Sequence, residues 1–294
     1  MRSDGDTWGI VDSVGLTALG VAAFRALESI GPDALIRDDF APWFVEAAGE
    51  PHFVALLADP ASVGDIPFAG FMGLRTKFFD EFFLSAAASG VAQTVILAAG
   101  LDARAYRLDW PPSTTVFEVD QPKVLEFKAE VLAEHGARPK ADRRSVAVDL
   151  REDWPAALEA AGFDRNKPVA WSAEGLLPYL PGAAHDALFA RIDELSAPGS
   201  QLAVENISEG GDIERSAAIR EKYFDKNPFG DLDVSELLYE DDRADPSLWM
   251  TEHGWSVQGA QPFELAARYG RPIPELPEEL ADLSARWTYM TAVK

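Results

Sequence analysis

The run Thr94-Val95-Ile96-Leu97-Ala98-Ala99-Gly100-Leu101-Asp102-Ala103-Arg104-Ala105-Tyr106-Arg107, followed by Val116-Phe117-Glu118-Val119-Asp120, decides the fold. Its first part is a buried strand that breaks at a small-residue turn and enters a helix. Its second part is another apolar strand that ends in acid. An acid about 20 residues beyond a turn glycine is the layout of a nucleoside cofactor site. Gly100 stands where backbone must approach a ligand closely, and Asp120 can accept both hydroxyl protons of a ribose.

Outward from this unit, apolar runs alternate with helical stretches. Strands are expected at Thr94 to Ala98, Thr115 to Val119, Ser145 to Val148, Val169 to Ala173 and Gln201 to Glu205. Helices are expected near Asp102 to Tyr106, Pro122 to His135, Trp154 to Ala161 and Gly182 to Leu195. Such alternation implies a parallel sheet with helices on both faces. Glu205 to about Trp249 breaks the rhythm: it is polar and partly helical (Ile213 to Phe224), an excursion of the kind that covers a site. Asp245-Pro246 can open a further helix, ended by Gly254. Trp255 to Ala260 and Trp287 to Val293 read as final strands, with an antiparallel edge. Pro262 to Pro277 reads as irregular or short helical structure.

Residues 1–90 read as helical. Asp12 or Ser13 caps a helix to about Ser29, and a second is expected over Asp33 to Ala48, with Pro51, Pro60 and Pro67 as breaks. A third, about Phe68 to Ala88, carries Phe71, Leu74, Phe78, Phe79, Phe82 and Phe83 as an aromatic stripe, with Lys77, Asp80 and Glu81 on the other side. Arg75 falls inside the stripe. A guanidinium among phenyl rings needs an anion. Either Arg75 belongs to a structural ion pair or snorkels to water, or it clamps a carboxylate of a ligand or substrate.

Composition narrows the function. The 294 residues carry a formal net charge of −23, from 26 basic and 49 acidic residues. That balance argues against nucleic acid and against an anionic membrane surface, and it serves solubility. Cys is absent, and the four His show no metal-ligand spacing. No metal site, leader or membrane span is expected, and the chain reads as cytoplasmic.

An acid stands at or just after each of the five parallel strand ends: Asp102, Asp120, Asp149, Glu174 and Glu205. These suit hydroxyls, amines and cations better than phosphates. A pyrophosphate wants Gly-x-Gly-x-x-Gly, and this turn has one glycine followed by Asp102. A dinucleotide-dependent oxidoreductase is therefore disfavoured. A sulfonium nucleoside with an amino-acid tail fits better. In that reading Asp120 takes the ribose and Asp149 with its following backbone meets the adenine. Arg75 pairs with the carboxylate, while groups near Gly100 and Glu174 hold the ammonium.

The runs Val95 to Leu108, Phe117-Glu118-Val119-Asp120-Gln121-Pro122, Val148-Asp149-Leu150-Arg151 and Ala173-Glu174-Gly175-Leu176-Leu177-Pro178-Tyr179-Leu180 resemble the actinobacterial S-adenosyl-L-methionine-dependent methyltransferases that are similar to leucine carboxyl methyltransferases. The likeness extends to Leu74-Arg75-Thr76-Lys77-Phe78-Phe79-Asp80 and to Ala267-Arg268-Tyr269-Gly270-Arg271-Pro272. It implies a class I methyltransferase Rossmann-like α/β sheet, mostly parallel with seven strands, the last antiparallel. Residues 1–294 then form one domain, with a helical cap over 1–90, a core over 91–294 and a lid insertion at about 206–249. It implies S-adenosyl-L-methionine as cofactor, with Asp120, Asp149 and Leu150 as contacts, Arg75 on the methionyl carboxylate and Gly100 in the cofactor turn. The acceptor is expected to be a small molecule, methylated on a carboxylate or hydroxyl oxygen; a catalytically silent interaction module is the remaining alternative. Tyr179, Tyr269, Arg268 and Arg271 are candidate acceptor-pocket residues, each also readable as structural.

Overall fold

A computed structural model describes residues 9–12, 14–60, 67–207, 218–219, 222, 227–239, 243–271 and 276–294, the side chains of 67–70 excepted. Its centre is a seven-stranded sheet: β1 Gln93–Leu97, β2 Thr115–Asp120, β3 Asp142–Ala147, β4 Val169–Ala173, β5 Gln201–Ile207, β6 Ser256–Ala260 and β7 Trp287–Val293, in the order β3-β2-β1-β4-β5-β7-β6. The first five strands pair in parallel, and β7 runs antiparallel to both β5 and β6. The antiparallel strand is thus inside the sheet, and β6 forms the edge. The central strands β1 and β4 are buried along their whole length, which is why both read as continuous apolar or small runs.

Successive strand residues point to opposite faces, and each face has its own helix layer. Ile96, Val116, Ala170, Ala203 and Tyr289 pack with the helices α1 Val14–Ile30, α2 Ala41–Ala48, α4 Pro67–Ala88 and α6 Pro122–Glu134. Val95, Phe117, Val146, Trp171 and Val204 pack with α7 Trp154–Ala160, α8 Gly182–Glu194 and the helix Pro246–Glu252. The aromatic stripe of α4 supplies much of the first layer: Phe78 and Phe79 meet the Tyr289 ring at 5.3 and 6.5 Å between centroids. Each such buried side chain stabilises the fold by about 1.5–3 kcal/mol.

Several local expectations change. The helix expected over Asp33 to Ala48 is only α2, because Asp38 is turned inward. Its carboxylate accepts from the amides of Phe40 and Ala41 and from Nε of Arg25, which ends any helical path before residue 41. Pro51 opens a helix rather than breaking one. It lies in the first turn of α3 (Pro51–Ala58), whose N-cap Glu50 accepts from the Phe53 amide. β3 starts three residues before Ser145, in polar residues that the apolar pattern does not mark. Asp80 does not face water: it is buried, because Arg104 and Arg107 both reach it. The helix expected over Ile213 to Phe224 lies largely outside the described residues. The chain after that gap is pinned at two places. Phe229 packs edge-on against Phe24 and Phe53, and Tyr239 N and Arg243 Nη1 donate to the carbonyls of Pro178 and Leu177.

Under the sheet's first face, Glu118 is fully buried and pairs with Nζ of Lys128 at 2.8 Å and with Arg143 at 2.7 Å. Removing one partner of a buried ion pair leaves charge without compensation. Glu118→Leu is therefore expected to lower unfolding stability by about 3–5 kcal/mol in urea denaturation; a loss under about 1 kcal/mol would contradict this account of the triad.

Candidate functional site

The parallel strands end together at one edge, where open α/β sheets bind ligands. β1 stops at Leu97 because the chain turns left-handed twice, at Ala98 (φ 51°) and Gly100 (φ 48°). Glycine takes this conformation freely, whereas alanine there costs about 1–2 kcal/mol. A Cβ on Gly100 would lie 3.3 Å from Cβ of Ala18, so α1 crosses directly over the turn.

Asp120, at the end of β2, holds this turn. Its Oδ2 accepts from Gly100 N and its Oδ1 from Gln121 N, each at 2.6 Å. Burial pushes its pKa up, and the two amides offset part of that rise. A carboxylate has about four acceptor sites, so two amides leave capacity for two further donors. Gln121 Nε2 reaches on to Asp149 Oδ2 at 2.8 Å, which joins the ends of β2 and β3. Asp149 also accepts from the backbone amide and guanidinium of Arg151. Burial would raise its pKa, but Arg151 outweighs burial and holds it low. Leu150 beside it is half-buried and packs on the second core layer.

The other half of the edge is ionic. Arg104, on the short helix α5 Arg104–Arg107, is 2% exposed. It donates to Asp80 at 2.7 Å, to Glu174 at 2.6 Å and to Asp102, and it lies 5.7 Å from the Phe79 ring centroid. Arg75 comes down from α4 to the same place. Its Nε is 3.3 Å from Glu174 Oε1 and its Nη2 is 2.9 Å from Glu205 Oε2. Burial would lower the Arg75 pKa; Glu205 and Glu174 overcome this and raise it. Its Nη1 reaches only the thioether of Met72, at 3.6 Å. Gly175 N donates to Glu205 Oε2 at 2.8 Å.

Gly100 and Asp120 are thus in direct contact, as are Arg75 and Glu174, and Asp149 is linked to Asp120 through Gln121. The five acids are not a mouth of free charge: Arg104 and Arg75 hold Asp102, Glu174 and Glu205, Arg151 holds Asp149, and backbone amides hold Asp120. Arg104, Asp80 and Glu205 are the important side chains absent from the expected site. The strand pattern marks Glu205 only as an acid at a strand end, and nothing in the sequence marks Arg104 among its neighbours.

Two of the acceptor-pocket candidates and three of the histidines have partners within the chain. The Tyr269 hydroxyl donates to Glu81 at 2.9 Å, and Arg271 forms a two-pronged pair with Glu28 at 2.7 and 2.8 Å. His253 bonds the Trp249 carbonyl and stacks on its ring, His135 stacks on Trp43, and His52 meets the Pro228 carbonyl. Among the described residues no helix is long and apolar enough to cross a membrane, and no group of three or more His, Cys, Asp or Glu could hold a metal ion.

A mostly parallel seven-stranded sheet in this order, with β7 antiparallel inside it, defines the class I methyltransferase fold. The family model "Leucine carboxyl methyltransferase" matches residues 18–193. A Rhodococcus jostii protein, whose name calls it a candidate S-adenosyl-L-methionine-dependent methyltransferase, is 74% identical over 294 residues and 100% of each chain. A Mycobacteroides abscessus relative with the same description is 56% identical over 297 residues, covering 99% of this chain and 96% of its own. A crystal structure described as a candidate methyltransferase from Thermobifida fusca matches with a TM-score of 0.53 at 17% identity, over 94% of each chain; that likeness bears on the fold alone. The chain belongs to the leucine carboxyl methyltransferase family.

The ionic half of the site makes a pH prediction. Burial would raise the Asp102 pKa, but Arg104, Arg107 and Lys128 outweigh it and hold it below the ordinary range. A depressed folded pKa gives stability that is present above the unfolded value and lost as pH falls through the folded one. Asp102→Asn is expected to be about 1–3 kcal/mol less stable at pH 7 and to lose less stability than the wild type between about pH 5 and pH 2. Parallel stability curves for the two proteins would contradict this.

Proposed function

We propose that this chain is an S-adenosyl-L-methionine-dependent methyltransferase acting on an oxygen of a small molecule, with a carboxylate as the favoured acceptor. The observation that carries the reading is Asp120, fixed at 2.6 Å to the amide of the Gly100 turn with acceptor capacity left for a ribose diol. Asp149, linked to Asp120 through Gln121, and the adjacent Leu150 are the proposed adenine contacts. Arg75 is the proposed partner of the methionyl carboxylate, and Glu174 of its ammonium. When bound, the cofactor supplies a methyl group activated on a sulfonium.

The residues of the chain then hold and align. α1 packs against Gly100 and holds the turn, while Asp120 and Arg75 anchor the two ends of the ligand. Fixing donor and acceptor in line is the main demand of methyl transfer. A carboxylate acceptor is ionised at neutral pH and needs no base, whereas a hydroxyl acceptor would need one. His52, His135 and His253 bond backbone carbonyls, and His185 is buried beside Phe189 and Asp186, which supports the carboxylate. Residues 1–90 serve as the cap and about 206–249 as the lid of a single domain. The acidic chain favours neither nucleic acid nor an anionic membrane as partner.

Titration calorimetry with S-adenosylhomocysteine tests the cofactor. Asp120→Ala is expected to weaken binding at least about 100-fold, since it removes two charge-assisted hydrogen bonds; equal affinities would sink the assignment. The acceptor class is tested with a panel of carboxylic acids and phenols and a methyl-labelled cofactor. A carboxyl ester releases its label as volatile methanol in alkali, and an ether retains it. Alkali-stable product alone would overturn the carboxylate reading.

A further inference from the structure

Glu205, inside β5 two residues before its end, has no place in the cofactor contacts above, yet it touches both halves of the proposed amino-acid end. Its Oε2 accepts from Nη2 of Arg75 at 2.9 Å and from Gly175 N at 2.8 Å. Arg75 comes from α4, and Gly175 follows Glu174 in the turn after β4. One buried carboxylate therefore joins a cation from the helical layer to a turn at the sheet edge. Gly175 is required for the contact: its φ is +63°, and a Cβ there would lie 2.5 Å from Nη2 of Arg75. The guanidinium rests directly on the turn.

The distribution of partners on Arg75 shows what this arrangement leaves open. Nη2 is taken by Glu205, while Nε lies 3.3 Å from Glu174 Oε1 in an ion pair without a hydrogen bond. Nη1, with two donor hydrogens, meets only the Met72 thioether at 3.6 Å among the described residues. Thioether sulfur is a weak acceptor, and a buried charged donor with so poor a partner is costly. A carboxylate arriving at Nη1 would satisfy it without displacing either acid. Glu205 in that case holds Arg75 for the ligand rather than competing with it.

We infer that Glu205 is the positioning residue for the amino-acid end of the cofactor: its carboxylate fixes Arg75 against the Gly175 turn so that Nη1 receives the methionyl carboxylate. This rests on the cofactor reading above. Glu205 acts through Arg75 and Glu174-Gly175 and touches no reacting atom. Its removal should therefore be felt by ligands with an amino-acid tail and not by those without one.

The test is calorimetric titration of the full-length chain, wild type and Glu205→Gln, with S-adenosylhomocysteine and with 5′-methylthioadenosine, which lacks the tail. Gln can still accept from Gly175 N but carries no charge for Arg75. The variant is expected to bind S-adenosylhomocysteine about tenfold or more weakly, with 5′-methylthioadenosine affinity unchanged within about twofold. In turnover, KM for S-adenosyl-L-methionine is expected to rise while kcat at saturation stays within about threefold. Unchanged or tighter S-adenosylhomocysteine binding overturns the inference, as does equal weakening of both ligands. A variant that fails to fold also overturns it, because the charge then serves the fold rather than the ligand. If the wild type binds neither ligand, the cofactor reading itself has failed.

Discussion

Two buried guanidiniums sharing one carboxylate organise the ligand-facing edge of this protein. Arg104 leaves the turn after β1 and Arg75 descends from α4, and both meet Glu174 at the end of β4. Neither charge could be buried alone. Desolvating an ion costs several kcal/mol, which is offset only when partners and geometry are complete. Here each arginine has at least two acids, and Arg104 also lies over the Phe79 and Phe83 rings. The network therefore depends on α4, the β1 turn, β4 and β5 all being in place, and it fastens the N-terminal helical layer to the sheet where a ligand would sit.

This constraint alters the chemistry of the edge. A row of acids at five strand ends suggests a strongly negative mouth. With internal arginines on most of them, the local charge is nearly balanced. Asp120 shows this most clearly. Both of its oxygens are committed to backbone amides, so the carboxylate cannot rotate and its remaining lone pairs point in fixed directions. Ala98 in a left-handed conformation is the strained counterpart of that rigidity. Such strain persists at sites that the surrounding structure over-determines.

The fold is legible in the sequence because its central strands are short apolar runs separated by helices, and β1, β2, β4 and β7 fall where periodicity puts them. β3 is less legible because its first residues, Asp142-Arg143-Arg144, are polar. The inner position of β7 rests on contacts between segments far apart in the chain. Asp38 and Pro51 mislead for one reason: each serves the start of a helix through a cap or first-turn role that composition alone does not distinguish from an interior residue or a break. In the site, the acids at strand ends stand out by spacing. Their cations do not. Asp80 looks like a solvent-facing helix residue, and its burial depends on Arg104 and Arg107, more than twenty residues further along. That dependence is tertiary and leaves no local pattern.

We propose that one ligand spans Asp120 and Arg75 across this edge. A crystal structure with S-adenosylhomocysteine tests it most directly. Ribose hydroxyls are expected on the Asp120 carboxylate, adenine against Asp149 and Leu150, and the ligand carboxylate on Nη1 of Arg75, with the Arg75–Glu205 contact kept. A ligand carboxylate held elsewhere, or an Arg75 that leaves Glu205 to reach it, would contradict the account.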